Sequence, residues 1–362
     1  MIYFAVDSSG KTGGMERYLA NRGVALGGHI TPIVYEDVFQ LGELPGGTWI
    51  FSSIDLLTPS ARRMAAHVHQ RLRETGHLTL NDPVHSLRRY ELLTALYDAG
   101  VNEFRAVRAS DYRGDLRFPV FVRNDLRHDG NLSGLLHSDR DVRRELLSAR
   151  FRGHALDQLL VVEFCDLSQD GWFRKYSAFR IGDRILGRHA QSSRHWMVKS
   201  DTGVRTDWAA EFERQYIDEN PHAAQLAYFF DLANIQYGRI DYGLRNGRVQ
   251  LWEINTTPTI GAGSSAKKRS AEDERYRELR EPAVRGFHER FRDAFFSIDE
   301  QGPAPAVPIT LDPVLRESAQ HEQAALRQRA VRVKRLHRLA QHPALVQLRR
   351  SVETVLRKVV GR

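Results

Sequence analysis

The chain has 362 residues, of which 41% are hydrophobic, and a formal charge of +8. That length and composition argue for a globular protein with one large or two moderate cores. No run of about 18 or more apolar residues occurs, which excludes an obvious membrane span. The N-terminus "MIYFAVDSSGKTGG" lacks the basic region and long apolar stretch of a secretory leader, so a cytoplasmic protein is expected.

Residues 1–84 alternate short apolar runs ("IYFAV", "TPIVYE", "TWIFSSI", "HLTLND") with helical patterns ("MERYLANRGVALGG", "SARRMAAHVHQRLRETG"), the pattern of a small parallel α/β unit. Within it, "SSGKTGG" at 8–14 contains the Gly-Lys-Thr of a phosphate-binding loop. Such a loop needs a glycine five positions before Gly10, and Ala5 stands there, so the stretch reads as a glycine-rich strand-to-helix connection. A helix follows in "SLRRYELLTALYDAG", with Gly100 as its C-cap. Next come a strand ("FPVFVRND"), a helix ("DRDVRRELLSARF") and a strand ("QLLVVEFCD"). Strand-type runs around Gly182-Asp183 predict a hairpin, and two helical patterns at about 207–218 and 222–235 lead into the segment 238–260.

That segment, "GRIDYGLRNGRVQLWEINTTPTI", reads as two strands around Asn246-Gly247. Glu253 and Asn255 are two apart and leave one face of their strand. A strict two-residue turn would set Asp241 opposite Trp252. A three-residue loop at 246–248, or an equivalent bulge, sets it opposite Glu253. Two bare, half-buried carboxylates facing each other repel and lose hydration, and a divalent cation removes both penalties. Two carboxylates with an amide oxygen are hard ligands suited to Mg²⁺. A solvated hairpin face is the competing reading of the same residues.

Beyond it, "EDERYRELREPAVRGFHERFRDAFFSI" is helical with a proline inside, and the prolines of "QGPAPAVPITLDP" make it the best linker in the chain. From Pro313 to Arg362 twelve Lys/Arg stand against three Glu, so the positive charge belongs to this tail and the rest of the chain is near neutral. Apolar residues at 345, 348, 352, 355/356 and 359 form a helical stripe with Arg349, Arg350, Arg357 and Lys358 nearby. A helix packing on the body or on a partner subunit, such as a second copy, is favoured over a nucleic-acid or membrane-surface binder. The single Cys165 cannot form an internal disulfide, and in an apolar strand it reads as a structural thiol.

"RIDYGL" and "LWEINTTPT" resemble the ATP-grasp superfamily, most clearly its D-alanine–D-alanine ligase branch. There the signature is Arg-Ile-Asp-(Phe/Tyr), a turn, and a strand ending Glu-Ile-Asn-Thr-x-Pro-Gly. Thr259 replaces the usual glycine. The resemblance covers roughly residues 81–260. It implies an N-terminal parallel α/β pre-grasp domain (1–84) and an ATP-grasp domain of two α+β lobes (85–300). The Pro-rich linker (301–312) and the helical basic C-terminal extension (313–362) would follow. By the same resemblance Asp241, Glu253 and Asn255 would bind Mg²⁺, with Mn²⁺ as an alternative, and Arg239 would face the reacting phosphoryl or acyl group. Arg89 and Arg123 stand where the family has phosphate-binding lysines, and both keep a positive charge. "RHDGNLSG", with Gly130, takes the place of the lid over the phosphates. "VVEFCD" resembles the hinge whose backbone binds adenine at Glu163, Phe164 and Cys165.

The next segment is dense in cations, Arg174, Lys175, Arg188, Arg194 and Lys199. Lys199 in "WMVK" resembles the family lysine that reaches the transferred phosphate, and Lys175 is expected to join it on the nucleotide. Arg188 is expected beside Arg239 as a catalytic residue holding the phosphate or an acidic substrate. The implied activity is ATP-dependent carboxylate–amine ligation. An acyl phosphate forms, an amine captures it, and no side-chain nucleophile is needed. The acid is a small molecule or peptide bearing a carboxylate. A kinase on the same fold and a non-catalytic ATP-binding module are the alternatives.

Overall fold

The computed structural model describes residues 1–8, 13–126, 130–199, 202–261, 270–300 and 304–340. Its chain divides into two compact units, Met1–Arg105 with Cys165–Glu317, and Ala106–Phe164 with the chain from Ser318 onward. Among the described residues no helix is long and apolar enough to cross a membrane. The centre of "SSGKTGG" and the C-terminal stripe at 345–359 lie outside the described residues.

In the first unit, β1 (Ile2–Val6), β2 (Ile30–Val34), β4 (Thr48–Phe51) and β5 (Thr79–Leu80) form a parallel sheet in the order β2-β1-β4-β5. The helices α1 (Gly13–Leu19), α2 (Tyr35–Val38) and α3 (Pro59–Glu74) alternate with these strands. The start of α3 is set by Thr58, whose Oγ1 accepts from Ala61 N at 3.3 Å, and by Pro59 in the first turn. The expected parallel α/β unit is therefore present.

The proline-rich segment behaves differently from a free linker. Its described part contributes β13 (Val307–Pro308), which pairs antiparallel with β3 (Glu43–Leu44). Repeated prolines forbid a central strand, but Pro308 sits in a two-residue, two-stranded ladder where its missing N–H costs little. Ile309 N then donates to Gly42 O at 3.0 Å, and Gly46 has no room for a Cβ against the carbonyl oxygens of Ala304 and Pro305.

The same unit carries an antiparallel sheet in the order β10-β9-β11-β12. Its strands are β9 (Phe173–Ile181), β10 (Arg184–Ser193), β11 (Tyr237–Arg245) and β12 (Arg248–Asn255). Around it lie α4 (Arg89–Asp98), α6 (Asp207–Glu219), α7 (Ala223–Leu232) and α8 (Ala271–Ile298), and α8 carries Pro282 within it. Gly100, at φ 66°, closes α4 as expected, with Val101 N donating to Leu96 O at 2.9 Å. In the second unit β6 (Ala106–Arg108), β7 (Val120–Asn124) and β8 (Leu159–Glu163) form a sheet ordered β6-β8-β7. Helix α5 (Asp139–Phe151) buries Val142, Leu146 and Ala149 in one core with Val120, Val122 and Val161. Helix α9 spans Pro313–Ala340.

The register of β11 and β12 decides what the signature hairpin can do. Arg245 pairs with Arg248 across a two-residue turn in which Asn246 (φ 51°) and Gly247 (φ 76°) both take positive φ, as a type I′ turn demands. The wider loop at 246–248 is not used. Instead Tyr242 pairs with Leu251 and Asp241 with Glu253, so Trp252 is the extra residue of a bulge. A Cβ on Gly243 would lie 2.5 Å from Leu167 Cδ1 and 3.1 Å from Trp252 Cζ2, so glycine there makes room for the bulged indole. Gly243→Val is accordingly expected to lower the stability of the folded chain by about 1–3 kcal/mol. A urea midpoint unchanged from the parent would show that the bulge tolerates a side chain at 243.

Candidate active site on the β11–β12 hairpin

The bulge brings four polar side chains into neighbouring pairs, Arg239 opposite Asn255 and Asp241 opposite Glu253. Asp241 is 2% exposed and Asn255 5%. Arg239 donates to Asp241 through Nε (2.9 Å to Oδ1) and Nη2 (3.2 Å to Oδ2), and Lys175 Nζ lies 2.6 Å from Asp241 Oδ2. Lys175 reaches it because β9 is the other neighbour of β11, with Ser177 paired to Asp241. Arg89, at the first residue of α4, is buried and pairs through Nη2 with Glu253 Oε2. Asn255 Oδ1 accepts from Thr257 N at 2.8 Å, which holds the amide at the strand end.

Burial alone would push the Asp241 carboxyl up. The charges of Arg239 and Lys175 outweigh burial and the neighbouring Glu253, and hold it below the usual carboxylate range. Burial likewise lowers Arg239, but Asp241 and Glu253 hold it above its ordinary value. Three cations, Lys175, Arg89 and Arg239, thus stand against two carboxylates on this face. The excess is positive, which suits a polyanion carrying phosphates. The donors themselves, two carboxylates and an amide oxygen at adjoining register positions, are those a hard divalent cation takes. Among the described residues no group of three His, Cys, Asp or Glu gathers as a metal site, so the amide of Asn255 is needed to complete this set.

Beside the hairpin lies a knot of charge that sequence reasoning missed. Glu213 of α6 is completely buried. It receives His189 Nδ1 at 2.7 Å, Arg280 Nη1 at 3.0 Å and the Tyr276 hydroxyl. Its signal was in the sequence. The buried positions of α6 are Ala209, Ala210, Glu213, Tyr216 and Ile217, a helical stripe with one carboxylate in it.

The segment after β12 is pinned to the end of the parallel sheet. Thr256 Oγ1 bonds Asp55 Oδ1 at 2.8 Å and Thr257 Oγ1 bonds Ser53 Oγ at 2.6 Å. Thr259 is exposed.

The remaining predicted residues are placed as follows. Lys199 is exposed, its backbone N bonded to Thr202 Oγ1 at 2.9 Å, and among the described contacts it does not touch the hairpin carboxylates. Arg123, Gly130, Glu163 and Phe164 belong to the second unit. There Arg123 lies on β7 and forms a bridge with Asn131. Gly130 has φ 93°, and Leu132 N donates to Val122 O at 2.8 Å. The described part of the lid segment is therefore tied to β7, while residues 127–129 lie outside the described residues. The Glu163 carboxylate is held by Arg117 (2.7 Å), and Phe164 N donates to Pro119 O at 2.9 Å, which commits an amide expected at the base. Cys165 is not in the strand, since β8 ends at Glu163. The thiol is half-buried, 3.5 Å from Arg245 Nη1. Arg188 is buried on β10.

No family model matches the chain, and no curated protein matches it. Solved structures do. The chain is similar to D-alanine–D-alanine ligase from Bacillus anthracis complexed with ATP, at 14% identity over 81% of this chain and 98% of that one, with a TM-score of 0.43. It is similar to the ATP-grasp ligase PsnB complexed with minimal precursor at 13% identity, 82% and 98% coverage, and a TM-score of 0.46. It is also similar to D-alanine–D-alanine ligase from Helicobacter pylori at 11% identity, 82% and 98% coverage, and a TM-score of 0.44.

Proposed function

We propose that the chain is an ATP-dependent carboxylate–amine ligase that forms an amide through an acyl phosphate and releases ADP and phosphate. The observation that carries this is the bulge-set pair Asp241–Glu253, ringed by Arg239, Lys175 and Arg89. Asp241, Glu253 and Asn255 would hold Mg²⁺, which when bound neutralises phosphate charge and orients the oxygens of the nucleotide. Lys175 and Arg89 add fixed positive charge to the same face. In the first step a substrate carboxylate oxygen attacks the γ-phosphorus and the bond to the β-γ bridging oxygen breaks, leaving ADP. In the second, an amine attacks the acyl carbon and phosphate leaves. Both steps gather negative charge, and Arg239 would stabilise the oxyanion of the second.

An ATP-dependent screen of amino acids and peptides, reading ADP and phosphate release with and without an amine acceptor, tests the reaction. Product amide with ADP and phosphate is the expected result. AMP and pyrophosphate would sink the acyl-phosphate route, and a phosphorylated hydroxyl would make the protein a kinase.

A further inference from the structure

Where β10 bulges between Gly187 and His189, Arg188 is turned into the protein. It is 4% exposed, and its guanidinium lies over the Phe287 ring, 4.9 Å from the centroid. Its Nε and Nη1 are buried without a hydrogen-bond partner. Stacking on an aromatic face offsets only part of the cost of an unpaired buried ion. Glu213 attracts Arg188 through space, but the carboxylate oxygens are engaged by His189, Arg280 and Tyr276. Burial consequently lowers the guanidinium to about 10. As a structural device this arrangement makes little sense, since a methionine would fill the space without the desolvation cost.

The neighbours share the deficit. The Tyr18 hydroxyl of α1, His288 Nδ1 of α8 and Arg280 Nε are also buried and unpartnered. Tyr18 stacks on His288 with ring centroids 5.6 Å apart, and His288 lies beside Phe287 at 5.2 Å. The charge of Arg188 acts on both Tyr18 and His288. Three elements of one unit therefore bring unpartnered polar atoms to the same neighbourhood. Of the charges acting most on Arg188, Glu213 attracts it while Arg280, Arg239 and Arg22 repel it, the last two being paired with Asp241 and Glu281 respectively. A cation would be repelled there, and a neutral ligand would leave the charge uncompensated. An oxyanion supplies the acceptor oxygens that these N–H groups lack.

We propose that Arg188, with Tyr18 and His288, is a buried oxyanion subsite that binds an anionic group of the acid substrate other than the carboxylate to be activated. The substrate class is then an acidic amino acid, an acid-ended peptide or a phosphate-bearing acid. The substrate assignment rests on the ligase reading, whereas the anion site stands without it.

The test therefore omits ATP and metal. Thermal shift and calorimetric titration of the full chain with succinate, glutamate and inorganic phosphate, against sodium chloride at equal ionic strength, are expected to show a saturable rise in Tm. Saturation by the carboxylates assigns an acidic substrate, and saturation by phosphate alone assigns a phosphate-bearing one. Arg188→Met should abolish the rise while its anion-free Tm equals or exceeds that of the parent, because an uncompensated charge has been removed. Arg188→Lys, which keeps the charge and loses the fork, should bind about tenfold more weakly. No saturable rise in the parent would overturn the proposal, as would a rise preserved in Arg188→Met or undiminished in Arg188→Lys. A fall in anion-free Tm for Arg188→Met without anion binding in the parent would instead make Arg188 structural.

Discussion

Asp241→Asn is expected to lower ATP-dependent turnover by about 10³-fold, and Glu253→Gln by a comparable factor, each with the chain still folded. The size follows from what each carboxylate does. Asp241 meets Arg239 through two hydrogen bonds and Lys175 at 2.6 Å, and it lies opposite Glu253. Removing its charge takes one of the two anionic oxygen donors from the proposed Mg²⁺ set and frees two cations to seize phosphate oxygens in unproductive positions. Glu253→Gln does the same to Arg89, whose side chain is 3% exposed. Breaking a buried pair costs about 3–5 kcal/mol of stability, so a melt measured beside the kinetics separates loss of fold from loss of chemistry. The amide replacements keep the shape and part of the hydrogen bonding, which is why they are preferred to alanine. Turnover within about threefold of the parent in either variant, with the parent active, would remove the metal assignment and with it the proposed mechanism.

What was legible in the sequence was whatever follows from local period and turn chemistry. The period of two placed Glu253 and Asn255 on one face, and Asn246-Gly247 gave the turn. The bulge could be inferred only conditionally, because it depends on Trp252 finding space beside Gly243, a fact of packing. Arg89 sits 164 positions before its carboxylate partner, and no local rule joins them. The family resemblance assigned Arg89 to phosphate, and the fold places it on Glu253, the same face by another contact. Hydropathy alone places Cys165 in a strand, but β8 ends at Glu163: Phe164 N still donates in register to Pro119 O, and Pro119 has no N–H to return the bond. The proline-rich segment differs from its composition for the opposite reason. Its composition interrupts long ladders, yet Val307–Pro308 needs only a two-residue one. Glu213 was in plain view on an apolar stripe, and its partners His189, Tyr276 and Arg280 come from β10 and α8, far apart in sequence.

Glu213→Ala is expected to cost about 3–5 kcal/mol, a large share of the roughly 5–15 kcal/mol that holds a domain folded. The substitution strands Arg280, whose side chain is 16% exposed, and removes the largest attractive charge acting on Arg188. Glu213→Gln keeps acceptor capacity for Tyr276 and should cost less. Acid adds a second signature, whose sign is fixed by direction. Burial raises the Glu213 carboxyl, but His189, Arg280 and Tyr276 outweigh it and hold it at about 2, below its ordinary 4.5. Its stabilisation is complete above 4.5 and is lost as the pH falls through about 2. Burial and the charge of Arg188 push both His189 and His288 down to about 3 from 6.5. Both are neutral in the folded chain, and the unfolded chain takes up their protons first. Stability therefore falls as the pH drops from 6.5 toward 3, by about 1.4 kcal/mol per pH unit for each histidine. Urea midpoints measured across that window should slope downward into acid. Glu213→Gln should keep the slope above 4.5 and lose part of it below. A parent midpoint that stays level from neutral pH to about 5 would show that these imidazoles are not buried neutral, and the charge knot beside the hairpin would have to be rebuilt with protonated histidines.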